Sequence, residues 1–203
     1  FELINMVASG SFSKVYKVIN KETGKSFAAR ISNIDINQFS EEEMRNISKE
    51  FNLISRLDHP GILKFVGFSP SSFKQESKPV TITELSPFKN LEDILNMKKK
   101  KIIVNGWSMT QILKVIFTIA SAMKYMHLNK ILHRNLKPAN ILINDDLLPK
   151  LSDFGLCTHL LVLNSMTYQS TSQIQGSPAY SAPEILNLEE NSVKSDVYSF
   201  AFI

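Results

Sequence analysis

The chain holds one cysteine, Cys157, in 203 residues, so no disulfide can form within it. That fits a reducing compartment, and a cytoplasmic setting is the expectation. Long apolar runs are missing as well. The best candidate, residues 112–126, is broken by Lys114 and Lys124. It falls short of the roughly 20 apolar residues that a membrane-spanning helix needs. A strong excess of either charge is also lacking. A net charge of +4 gives no ground for expecting a nucleic-acid or membrane partner. The run Lys98–Lys101 reads as the solvated end of a helix rather than a site for lipid or nucleic acid. No internal repeat is present, which excludes solenoids and propellers. No signal peptide is present either. The chain begins at Phe1 rather than Met, so its natural N-terminus is expected to lie further upstream.

What remains has the make-up of a soluble globular protein, 43% hydrophobic and 21% charged. The length fits one domain or two small lobes and is enough to bury a sizeable core. The first part is rich in β-branched and aromatic residues. Phe1–Val7, Ser13–Ile19 and Ser26–Ile31 read as strands, with a hairpin turn at Lys21–Gly24. A helix follows. Ser40 with Glu43 makes a capping-box pattern, and Met44, Ile47, Phe51 and Ile54 recur at helical spacing. Asp58-His59-Pro60-Gly61 ends it. Ile62–Phe68 and Val80–Glu84 read as further strands, separated by the polar loop Ser69–Lys78.

From Asn90 the pattern turns helical. Leu91–Met97 is a short helix. Ser108 and Gln111 make a second capping-box pattern before a long helix through Ile112, Ile116, Ile119, Met123 and Met126. Ile141–Ile143 and Lys150–Leu151 suggest a small hairpin. Asn164–Gln175 is polar and reads as a loop.

Four motifs occur in order. They are His133-Arg134-Asn135-Leu136-Lys137-Pro138-Ala139-Asn140, Asp153-Phe154-Gly155, Ala182-Pro183-Glu184 and Ser195-Asp196-Val197-Tyr198-Ser199-Phe200. Together they resemble the catalytic loop, the magnesium motif, the end of the activation segment and the next large helix of a eukaryotic protein kinase domain. The resemblance runs the length of the chain. It implies a bilobal α+β fold. Residues 1–85 would form a five-stranded antiparallel lobe with one helix, and residues 86–203 a partial, mainly helical lobe. Lys137 and Gly176-Ser177-Pro178-Ala179-Tyr180 are similar to the serine/threonine type, and the texture resembles its tyrosine-kinase-like group.

The resemblance also implies a site for ATP and Mg²⁺. Asn140 and Asp153 would be the hard oxygen ligands of the metal. Read alone, Asp153 is only a turn aspartate before Gly155. Val15, Ala28 and Leu142 would sandwich the adenine, with Thr83 at the back of the pocket and Glu84 to Ser86 as the hinge. Simple core packing would explain the same apolar residues. Arg134 can pair with a phosphate on the activation segment, where Ser165, Thr167, Tyr168, Ser170, Thr171 and Ser172 are acceptors to consider. Protein substrates or signalling partners are implied; no nucleic acid is.

Several positions depart from the family pattern. The glycine-rich loop, Ala8-Ser9-Gly10-Ser11-Phe12-Ser13-Lys14-Val15, keeps only its middle glycine. Arg30 stands where the third strand carries a lysine, with Glu50 as its expected partner. Arginine can form that pair, but it presents charge to phosphates differently from lysine. Asn135 replaces the aspartate that accepts the substrate's proton, and an amide does not become protonated near neutral pH. Losing a general base costs about 10²–10⁴ in rate. Misplacing the phosphates by about 1 Å costs another ~10². The expectation is a catalytically impaired domain, a pseudokinase that still binds ATP·Mg and acts as a scaffold or allosteric partner. The alternatives are an active serine/threonine kinase and a truncated, inactive product. The chain stops at Ile203, inside a helix, whereas kinase domains continue. The apolar residues Val197, Phe200 and Phe202 are therefore expected to be uncovered and to favour aggregation.

Overall fold

Three strands open the chain: β1 (Glu2–Ser9), β2 (Ser13–Ile19) and β3 (Ser26–Ser32). The turn between β2 and β3 is organised by Asn20. Its side chain accepts from the Glu22 and Thr23 N–H groups, and its carbonyl from Gly24 N at 2.8 Å. Gly24 takes φ +68°, a backbone conformation that costs glycine nothing. The computed structural model describes residues 1–10, 13–85, 90–144, 146–152, 178–187 and 192–203, without the side chains of 42, 43, 46, 47, 49, 50 and 53. The expected loop Asn164–Gln175 and the motif Asp153-Phe154-Gly155 lie outside the described residues.

The chain divides into two units. The first comprises Phe1–Asp58 and Leu63–Ser86; the second comprises His59–Ile62 and Pro87–Ile203. In the first, β4 (Phe65–Ser69) and β5 (Val80–Glu84) complete an antiparallel sheet ordered β1-β2-β3-β5-β4. Helix α1 (Glu41–Ile54) buries Phe51 and Ile54, and the Phe51 ring stacks on Phe65 and Phe68. One sheet face carries the core cluster Val18, Ala29, Val80 and Ile82. Phe73 packs on that cluster, so the segment expected to be a plain polar loop is pinned by one ring. Strand β4 is shorter than the expected Ile62–Phe68. Ile62 instead makes an isolated parallel bridge to Leu151, and both side chains are buried.

In the second unit, α2 (Leu91–Lys99) is capped by Asn90, which accepts from Asp93 N at 2.8 Å. It ends in a two-bond C-terminal turn. Ile102 N donates to Met97 O and Lys101 N to Lys98 O, with Lys101 at φ +59°. Helix α3 (Met109–Leu128) ends the same way around Lys130. At its start only half of the expected capping box forms. Ser108 accepts from Gln111 N, but the Gln111 amide donates to the Leu147 carbonyl instead of turning back. The hairpin β6 (Ile141–Ile143) and β7 (Pro149–Leu151) follows. The short helix α4 (Pro183–Leu186) and helix α5 (Val193–Ala201) complete the described residues. Helix α5 starts earlier than expected, because Ser192 and Ser195 form a capping box. Val197 and Phe202 are exposed at 52% and 55%. Among the described residues, no helix is long and apolar enough to cross a membrane.

The turn His59–Ile62 is seated on α3. A Cβ on Gly61 would come within 2.9 Å of Thr118 Cγ2, so glycine permits the close approach. His59 Nδ1 accepts from Gly61 N at 3.0 Å, and its ring lies 5.3 Å from that of Tyr125. Because Nδ1 accepts, the neutral tautomer carries its proton on Nε2, which lies 3.2 Å from Ser121 Oγ. Burial lowers the pKa of this ring below the ordinary histidine value of 6.5. Folding therefore favours neutral His59, and this contribution is complete above pH 6.5. It is lost as pH falls through the lower, folded-state value. Thermal melts from pH 7 downward should show the wild type losing more stability than His59→Gln just below about pH 6.5. Parallel losses in the two proteins would contradict this.

Candidate functional site

Strand register gathers one set of the expected residues. Val15 lies opposite Arg30, and Arg30 opposite Thr81; Ala28 lies opposite Thr83. Paired residues share a face, and alternation places Val15, Ala28, Arg30 and Thr83 on the face opposite the Val18–Ala29 cluster. All of these are half-buried. Ala8 pairs with Val15 and is exposed. Gly10 N donates to Ser13 O at 2.9 Å and closes the turn between β1 and β2. Glu84 is tied down within the same unit. Its Oε1 accepts from Lys64 N at 2.8 Å, and its N–H donates to Lys64 O. Ser86 lies outside the described residues, and so does the side chain of Glu50, whose backbone is in α1.

The second unit assembles the loop between α3 and β6. Leu136 and Pro138 are buried and plug it into the core. Asn135 donates its N–H to His133 Nδ1 at 3.3 Å and accepts at its carbonyl from Asn140 Nδ2 at 2.7 Å. The Asn140 amide nitrogen is therefore committed, which fixes the orientation of the amide. The Asn140 side-chain oxygen has no donor among the described residues. The Asn140 carbonyl accepts from both Ser152 N and Ser152 Oγ, at 2.9 and 3.0 Å. Ser152 immediately precedes Asp153 in the sequence. Lys137 is half-buried and leads into the 3₁₀ turn Pro138–Asn140. Leu142 alternates with buried Ile141 and Ile143, and bridges to Asn90.

Asp196, on the first turn of α5, is 2% exposed. Its carboxylate accepts from His133 N, Arg134 N and His127 Nε2, each at 2.8 Å. Arg134 sits at φ +63°, a region that L-residues rarely adopt, and these bonds hold it there. Two further contacts join α5 to the preceding segment. Ser195 Oγ donates to Glu184 Oε1 at 3.0 Å, and Ser199 Oγ to the Tyr180 carbonyl at 2.7 Å. Glu184 thus has a hydroxyl partner.

The order and geometry of these elements match a known family. The protein kinase domain family matches residues 1–203. The chain belongs to the protein kinase domain family. It is 31% identical to the human serine/threonine-protein kinase Nek11, a match covering 100% of this chain and 30% of that protein. It is 28% identical to the Drosophila melanogaster serine/threonine-protein kinase fused, over 100% of this chain and 23% of that protein. The chain thus spans less than a third of either relative. The kinase domain of Mycobacterium tuberculosis PknI, solved as a point mutant, superposes with a TM-score of 0.72 at 20% identity, covering 98% of this chain and 69% of that one. That likeness concerns the fold. The bilobal α+β expectation is met by the sheet of the first unit and the helices of the second.

Sequence reasoning placed Ser195, Asp196 and Ser199 in a motif of this kinase domain without giving them a role, and it passed over His127. One signal for Asp196 was available: it lies between Val193 and Phe200 on a helical stripe that is otherwise apolar. Replacing Asp196 with alanine would leave two backbone N–H groups without an acceptor in the interior. Hydrogen bonds to charged groups contribute about 1.5–3 kcal/mol each, so Asp196→Ala should cost about 3 kcal/mol or more. Asp196→Asn should cost less, because one amide oxygen remains. Urea denaturation of the three proteins checks the order, and an unchanged midpoint for Asp196→Ala would refute it.

Proposed function

We propose that this protein kinase domain binds ATP with Mg²⁺ but transfers the γ-phosphate poorly, and that it serves signalling as a pseudokinase. The observation that carries this reading is Asn135. Its N–H and carbonyl make the bonds that shape the loop, while its side chain is an amide at the position of the base. The loop is therefore formed, and the group that should take the hydroxyl proton is absent. An amide oxygen can orient a hydroxyl by accepting its hydrogen bond, but it cannot remove the proton.

The nucleotide half of the proposal rests on what is retained. Asn140 Oδ1 is left without a protein donor among the described residues by the commitment of Nδ2, which suits a hard cation. Asp153 would be the second ligand. When bound, Mg²⁺ neutralises charge on the phosphates. Arg30 would face the phosphates with a wide, planar cation instead of an ammonium. Val15, Ala28 and Thr83 would line the adenine side from the shared sheet face.

A second reading is an active serine/threonine kinase. It is favoured by Lys137 and by the intact anchorage of the catalytic loop on Asp196. A phosphotransfer assay separates the two. Asn135→Asp in the complete domain should raise the rate about 10²–10⁴-fold, the usual contribution of a general base. Equal and high rates in both proteins would establish the active reading. Calorimetry should show Mg·ATP binding that weakens in Asn140→Ala; no heat at millimolar nucleotide would remove the nucleotide half.

A further inference from the structure

The C-terminal end of α2 contributes nothing to the kinase site described above. Lys98 and Lys99 close the helix, Lys100 caps it, and Lys101 makes the left-handed turn. The two bonds from Lys101 and Ile102 back to Lys98 and Met97 make this a formed turn, not a frayed end. Among the described residues none of the four ammonium groups has a carboxylate within salt-bridge distance. The acids of the same helix, Glu92 and Asp93, lie on its first turn, about 9 Å away along the axis. Next along the chain come Ile102 and Ile103, exposed at 47% and 86%, and α3 opens with Met109 at 70%. Fixed positive charge and bare aliphatic surface are thus adjacent on one short stretch. The buried residues of α2 are Leu91 and Ile94, and the helix packs on the 3₁₀ turn Pro138–Asn140 and on β6.

We propose that Lys98–Ile103, whose lysines read from sequence alone as a solvated helix end, is with its exposed isoleucines a docking surface for an anionic membrane. The two kinds of side chain decide the occupant. A nucleic acid or an acidic peptide would reward the lysines and leave Ile103 in water. An anionic bilayer rewards both. Lysine ammonium groups sit among the headgroups while their methylene stems and the isoleucines enter the acyl boundary. A single short patch of this size gives reversible surface attachment. It is independent of catalysis and of nucleotide binding.

The test is vesicle co-sedimentation of the complete protein. Phosphatidylcholine vesicles are compared with vesicles that also contain phosphatidylserine. Binding should require phosphatidylserine and weaken as salt rises. Replacing all four lysines by glutamine should reduce binding at least about tenfold. Ile103→Ser should reduce it about tenfold with the charge intact. Lys101→Gly keeps the left-handed turn and should give a smaller loss, which covers the event that the fourfold variant folds poorly. Failure to prefer phosphatidylserine would overturn the proposal. So would binding indifferent to Ile103→Ser, since the isoleucine would then not enter the acyl boundary.

Discussion

The carboxylate of Asp196 joins segments more than 60 residues apart, receiving the N–H groups of His133 and Arg134 and the ring of His127. These three donors come from the end of α3 and the catalytic loop. Without a shared acceptor they would be buried polar groups with nothing to bind, an arrangement that interiors avoid. The acceptor also explains the backbone of Arg134. A φ of +63° is unfavourable for arginine in isolation, and it persists because the surrounding bonds over-determine it. Helix α5 is in turn fixed to the segment before it through Ser195 and Ser199. The functional loop is thus suspended from a helix that follows it in sequence, and its shape comes from main-chain donors on one buried charge.

That suspension separates shape from chemistry. The hydrogen bonds that define the loop at position 135 use the backbone of Asn135. An aspartate there would make the same N–H and carbonyl contacts. On the proposed reading, the exchange of aspartate for asparagine costs the loop no geometry and removes only a proton acceptor. Arg30 is a different kind of change. Its place in β3 is fixed by the ladder to β2 and β5, so the backbone is indifferent to the side chain, but the guanidinium is larger and planar. On the proposed reading, both substitutions leave the fold in place and act on the chemistry.

Much of the fold was legible because its signals are local. The bounds of β2 and β5 follow from alternation and β-branched residues, and α3 follows from a 3.6-residue period with Ser108 ahead of it. What could not be read depends on distant partners. Ile62 looked like a strand because it is apolar and precedes apolar residues, but its bridge is to Leu151. Gln111 looked like the return half of a capping box, but it is buried and the Leu147 carbonyl claims its amide. Phe73 is a single ring in a polar segment, and nothing local announces that it lies on the sheet core. The site divides the same way. Asn135, Asn140 and Lys137 stand out in one short motif, whereas Asp196 is a lone carboxylate whose partners lie far upstream.

The altered residues also follow this division. Those that shape the loop through the interior, Leu136, Pro138, Asn140 and Asp196, keep what the family's motifs would lead one to expect. Those that depart from it, Ala8, Arg30 and Asn135, are exposed or half-buried, where a new side chain opens no cavity and strands no buried polar group. Stability therefore sets a strong limit on the first set and a weak one on the second. A chain released from the need for fast phosphoryl transfer could change the second set without unfolding.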